Sequence, residues 1–201
     1  MPTTQIILAI LLGLGLSAST GLNTFLPLLL LSAAARFHVA DVTLGAKFEW
    51  LTSDIAMIVL VVVCIIELVG DKVPAIDHLL DVVGTFLRPM AGSLAAASVL
   101  NGLDPTTASI IGVVVGAPTS FGFHTLKAGT RVASTTSTFG CANPLLSFIE
   151  DVLSFGLSVI AIFAPVIVPL ALALLVWMLW WVIKRLRSRS VTPAAAARSA
   201  P

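Results

Sequence analysis

Residues 152–183 run for 32 positions without a charged side chain, and residues 54–70 carry only Asp54 and Glu67. Only 10% of the 201 residues are charged, where a soluble domain carries about 25%. A soluble core of this size cannot hide that much apolar chain. The sequence therefore predicts an all-α polytopic integral membrane protein.

A helix needs roughly 20 apolar residues to cross about 30 Å of hydrocarbon. Six crossings are expected, near 5–31, 54–70, 89–103, 106–126, 150–164 and 169–183. Pro165 and Pro169 either divide 150–183 into a helical pair or kink one long helix. The N-terminal stretch "QIILAILLGLGL" lacks the basic leader of a secretory signal and reads as the first span.

Trp177, Trp180 and Trp181 are followed by Lys184, Arg185, Arg187 and Arg189. Interfacial aromatics ahead of a basic cluster mark a cytoplasmic helix end, so the arginines read as anchors and the C-terminus as cytoplasmic. Six crossings then place the N-terminus on the same side. Residues 1–187 form one membrane domain and 188–201 a disordered cytoplasmic tail.

Residues 71–88, "DKVPAIDHLLDVVGTFLR", differ from the rest. Pro74 suits a first helical position. Ile76, Leu80, Val83 and Leu87 make an apolar stripe, and Asp77, Asp81, Thr85 and Arg88 a polar one. That is an amphipathic helix, lying at the interface or tucked into the protein.

Two phrases, "GLNTFLPL" at 21–28 and "GFHTLKAG" at 122–129, interrupt apolar sequence. Shifting the chain by 101 residues lays Gly15, Ser19, Gly21 and Thr24 on Gly116, Ser120, Gly122 and Thr125, with Asn23 on His124. Over residues 10–36 the identities number five. This echo suggests repeat halves 5–103 and 106–183 of three helices each, inverted because each half has an odd number of crossings. Broken helices at matching positions of inverted halves point to a transporter's central site. Broken backbone inside a bilayer is tolerated only where protein or a watery cavity satisfies it. Both phrases are therefore expected to be helix breaks, facing each other near the membrane middle.

Ser19, Asn23, Thr24, Ser120, His124, Thr125, Lys127 and Arg131 form the expected substrate site. His124, Lys127 and Arg131 recur at i, i+3, i+7, on one helical face, and such a face calls for an anion, water or headgroups beside it. Glu67, Asp71, Lys72, Asp77, His78, Asp81, Arg88, Glu150 and Asp151 form an expected coupling or charge network. Glu67 is expected to carry a coupling proton or to pair with Lys72, Lys127 or Arg131. Glu150 and Asp151 read as carboxylates at a helix start. No metal set, cofactor fingerprint, disulfide or catalytic motif is indicated, and the short basic cluster gives nucleic-acid binding no support.

The motifs "GLSASTGLNTFLPL", "GDKVPAIDHLLDVVGTFLRPMAG", "HTLKAGTRVAST" and "NPLLSFIEDV" together resemble a bacterial membrane family known only as domain of unknown function 4126. The resemblance runs from about residue 8 to 165. It draws attention to Asp71, Lys72, Pro74, Asp77, His78, Asp81, Arg88, Pro89, His124, Lys127, Arg131, Asn143, Pro144, Glu150 and Asp151. It implies no activity. The expected function is a small secondary transporter or a flippase for an anionic small molecule or lipid phosphate, proton-coupled, without cofactor and homodimeric. The alternatives are a non-transporting scaffold or complex subunit, and an intramembrane lipid-modifying enzyme using Asp77, His78 and Asp81.

Overall fold

The computed structural model describes residues 3–190, without the side chains of residues 74, 75, 78, 137 and 186–190. The described residues are mostly helical, joined by turns and short loops, with no strand among them: α1 Thr3–Leu22, α2 Leu26–Arg36, α3 Asp54–Gly70, α4 Pro74–Ser98, α5 Pro105–Ile111, α6 Ala117–Thr138, α7 Asn143–Phe163 and α8 Val168–Ser190. By length and composition, α1, residues 79–98 of α4, α5 with α6, α7 and α8 can each cross a membrane. The pair 46–52 and 54–70, bent by 64°, is a sixth candidate. This is an all-α polytopic membrane protein.

The first predicted crossing, 5–31, is instead a hairpin of two helices. α1 ends at Leu22, buried against α6, and α6 continues eleven residues past Lys127, about 16 Å further. α2 then turns back alongside α3, with Thr24 meeting Glu67 and Arg36 meeting Asp54. Both outer ends of the hairpin emerge at one end of the molecule. Gln5 shares a cleft there with Thr43, Asn101 and Pro165. α8 starts beside Gly15, at Val168, and descends until Ile183 lies beside Gly129. The start of α1 and the end of α8 therefore lie at opposite ends, which corrects the expectation of both termini on one side, while the expectation of about six spanning or broken helices stands.

α7 and α8 are separate helices joined at Ala164 and the turn Pro165–Ile167. Val152, Leu153 and Ile160 of α7 meet Met178, Leu175 and Ala171 of α8 across a shared apolar pocket, so residues 150–183 fold back and pass twice. The helix continues to Ser190, three residues into the stretch read as a tail; residues 191–201 lie outside the described residues.

The amphipathic stretch 71–88 is not a separate surface helix. α4 runs unbroken from Pro74 through Pro89 to Ser98, and its polar stripe faces the protein. α1 lies at the centre, packed on α4, α6, α7 and α8. Glycines permit the closest approach: a Cβ on Gly112 would lie 2.6 Å from the Ser93 carbonyl, and one on Gly116 would collide with Gly92. Residues Gly112–Gly116 form one wide turn, just ahead of Pro118. The missing N–H and the ring of Pro118 disfavour a normal turn at Val114, and the wider turn relieves the clash. Ile55, Val62, Ile66, Leu170, Leu174 and Trp177 point outward, as lipid-facing residues should.

Candidate functional site

The break at Asn23–Phe25 exposes two sets of unpaired backbone groups in the protein interior, the last carbonyls of α1 and the first amides of α2. Each is met by a charge of the sign its helix end attracts. The Lys127 ammonium donates to the Leu22 carbonyl at 2.9 Å. The Glu67 carboxylate accepts from the Thr24 amide at 2.9 Å, the Phe25 amide at 3.1 Å and the Thr24 hydroxyl at 2.7 Å. Asn23 completes the turn, accepting from the Leu26 amide at 3.0 Å and donating to Asp151 at 3.1 Å.

Beyond the tip the charges interlock. Lys127, fully buried, lies 3.2 Å from Asp71 and 3.3 Å from Glu150. Arg131 contacts Asp77, lies 3.0 Å from Glu150 and 3.4 Å from Asp81, and donates to the Ser147 hydroxyl at 2.8 Å. Ser147 in turn donates to the Asp71 carbonyl. Lys72 pairs with Asp151 at 3.0 Å. Arg88 lies 3.6 Å from Glu67 and 3.5 Å from Asp81, and donates to His124. Asp77 stands just before the spanning part of α4, and burial pushes its carboxyl above the ordinary range against the pull of Arg131.

Among the described side chains the cluster holds six carboxylates (Glu67, Asp71, Asp77, Asp81, Glu150, Asp151) against four fixed cations (Lys72, Arg88, Lys127, Arg131), a surplus of two carboxylates. One side opens to a cleft of about 520 Å³ lined by Asp77, Asp81, Thr85, His124, Arg131 and Asn143.

The structure gathers most of the expected site residues here, with several corrections. "GFHTLKAG" is not a helix break: α6 is continuous, and Thr125 and Thr130 bond back to Gly122 and Lys127 at 2.7 Å. Only the first phrase is broken. The two do face each other, with Lys127 donating to the Leu22 carbonyl at 2.9 Å and Gly21 packed against Phe123 and His124. However, α1 and α6 run in the same direction, Thr20 meeting Ser120 and Leu22 meeting Lys127, so the inverted relation expected of these segments is not borne out.

Thr125 is exposed and outside the cluster. Ser19 and Ser120 pack the helix crossing, Ser19 accepting on its carbonyl from Ser154 and Ser120 donating to the Arg88 carbonyl. Glu67 pairs with Arg88, not with Lys72, Lys127 or Arg131. Glu150 and Asp151 sit two turns into α7, not at its start, and both are buried. The His78 side chain lies outside the described residues. Ser147 was missed by sequence reasoning. Its signal was the spacing of Ser147, Glu150, Asp151, Ser154 and Ser158, a polar stripe along one face of α7.

No curated protein and no solved structure matches the chain. A family model described as a domain of unknown function (DUF4126) covers residues 10–185, reaching through most of α8, and the chain belongs to that family.

Proposed function

We propose that the protein is a small secondary transporter of the bacterial cytoplasmic membrane, moving protons or small monovalent cations through the charged cluster at the hairpin tip. The observation that carries this reading is the surplus of two carboxylates in a largely buried cluster open to a polar cleft. Uncompensated charge away from water is costly, and ionisable groups inside a membrane protein mark ion pathways. The anion or lipid phosphate expected from the cations alone finds them already engaged by carboxylates. The broken hairpin fits the same reading, because its unpaired backbone ends are held by Glu67 and Lys127, which belong to the cluster.

In this reading the C-terminal end faces the cytoplasm, anchored where Lys184 and Arg185 lie 5.0 and 4.9 Å from the rings of Trp180 and Trp181. Two copies form a homodimer, and no reaction is catalysed.

The test is ion flux into proteoliposomes of the purified chain, under an imposed potential, with proton and sodium indicators inside. Flux well above that of protein-free vesicles, reduced in Asp81→Asn, is the expected result. Asp81 is chosen because it is only partly buried and its contacts are long. Vesicles with the protein whose proton and sodium signals rise no faster than those of empty ones would make the cluster a helix staple and the protein a scaffold.

A further inference from the structure

His124 sits where the cleft meets the cluster, and its hydrogen bonds fix its protonation state by elimination. Arg88 donates to Nδ1, and a guanidinium has no acceptor to offer in return. Nδ1 must therefore carry a lone pair. At Nε2 the partner is the Thr85 hydroxyl at 3.1 Å, whose own proton goes to the Asp81 carbonyl at 3.0 Å. Nε2 therefore carries the hydrogen. The ring is neutral, in the Nε2–H form, for as long as Arg88 holds its position.

Arg88 itself is loosely tied. Its Nε and Nη2 have no hydrogen-bond partner, and Glu67 and Asp81 stand 3.6 and 3.5 Å away on either side. We infer that His124 is the proton acceptor of the cleft, and that protonation at Nδ1 and the Arg88–His124 contact are mutually exclusive. The step adds one proton to the Nδ1 lone pair and gives an imidazolium; the only bond lost is the hydrogen bond from Arg88. The displaced guanidinium then closes on Glu67 or Asp81, within a side-chain movement of its present place.

The groups facing His124 decide the balance. Thr85, Asp81 and Arg88 face it from α4, and Lys127 and Arg131 lie on its own helix. Glu67 of α3 stands behind Arg88, Asp71 and Glu150 stand behind Lys127, and α1 offers only the backbone at Gly21. Because Glu67 also caps α2, Arg88 moving onto Glu67 would couple proton uptake at the cleft to the hairpin tip. This inference rests on the reading of the cluster as an ion pathway, and names the residue that loads it.

Nitrogen NMR of histidine-labelled full-length protein in lipid bilayers tests it directly. The chain has three histidines, His38, His78 and His124, and the His124→Gln spectrum identifies the signal. The expected result is the Nε2–H form at neutral pH, with an Arg88 side-chain signal that changes together with His124 on acidification. Removing Arg88 should raise the proton affinity of His124 at least tenfold. Since Arg88→Met alone leaves Glu67 buried without its cation, the same titration is run in Glu67→Gln/Arg88→Met. An Nδ1–H form at neutral pH overturns the inference, as does a titration midpoint that ignores the loss of Arg88. These outcomes are independent of flux: a coupled His124 in vesicles that carry no ions would sink the transport reading and leave the switch standing.

Discussion

Glu67 and Thr24 lie 43 positions apart in the chain, yet both carboxylate oxygens of Glu67 are 2.9 Å from the Thr24 amide. A residue near the end of one helix thus serves as the cap for the start of another. Glu67→Gln keeps an acceptor for the amides but strips Arg88 of its buried partner, and Glu67→Ala removes both. Breaking a buried pair from one side costs about 3–5 kcal/mol. Unfolding in detergent should therefore show both variants strongly destabilised, Glu67→Ala more than Glu67→Gln. Equal and small losses would mean that the tip holds without its carboxylate.

Gly21 and Gly122 occupy equivalent columns of the internal echo, but their surroundings differ. A Cβ on Gly21 would lie 2.6 Å from the Phe123 Cβ and collide with the Ser120 carbonyl, whereas one on Gly122 meets nothing within 4 Å. Gly21→Ala should destabilise by about 1–3 kcal/mol through overpacking. Gly122→Ala should be neutral or stabilising, by up to about 1 kcal/mol, because alanine is the better helix former. Parallel unfolding curves decide it, and similar effects at the two sites would contradict this packing.

The membrane class and most of the charged cluster were legible because lipid forces a plain code: long apolar runs, with each interruption in need of a reason. Asp71, Lys127 and Arg131 stood out as charges within or bordering apolar sequence, and Asp77 and Arg88 as part of the polar stripe of 71–88. Pairing was not legible. Glu67 was expected to pair with Lys72, Lys127 or Arg131 and instead meets Arg88, because α4 runs unbroken through Pro89 and brings Arg88 alongside α3. Direction was not legible either. Residues 5–31 are long and apolar enough for one crossing, and it takes the contacts of α2 with α3, Thr24 on Glu67 and Arg36 on Asp54, to show that the chain turns back after Leu22. The echo misled for a related reason: Thr125 satisfies its hydroxyl within its own helix, so a matching residue need not mark a matching break.

A hairpin that returns to its starting side puts the start of α1 and the end of α8 across the membrane from each other. Cys141 is exposed at the end where α6 meets α7, and Gln5 lies at the opposite end. With the C-terminal end in the cytoplasm, as proposed, a membrane-impermeant maleimide applied to intact cells should label Gln5→Cys in a Cys141→Ser background and leave native Cys141 unlabelled until the membrane is opened. Labelling of both positions from one side would restore an even number of crossings.

Lys127 stands at the junction of everything described, bonded to the end of α1 and within 3.3 Å of carboxylates from the α3–α4 turn and α7. Lys127→Met keeps the length of the stem but leaves Asp71 and Glu150 with Arg131 as their one remaining cation. The expected loss is again about 3–5 kcal/mol, dominated by the carboxylates left without compensation. Removing one of those charges as well should restore part of it. Lys127→Met/Glu150→Gln is therefore expected to be more stable than Lys127→Met alone even though Glu150→Gln by itself destabilises, a coupling between touching residues that additive effects cannot produce. If the double variant were less stable than either single one, the ammonium would matter chiefly for its bond to the Leu22 carbonyl, and the carboxylates would be held by Arg131 and Ser147.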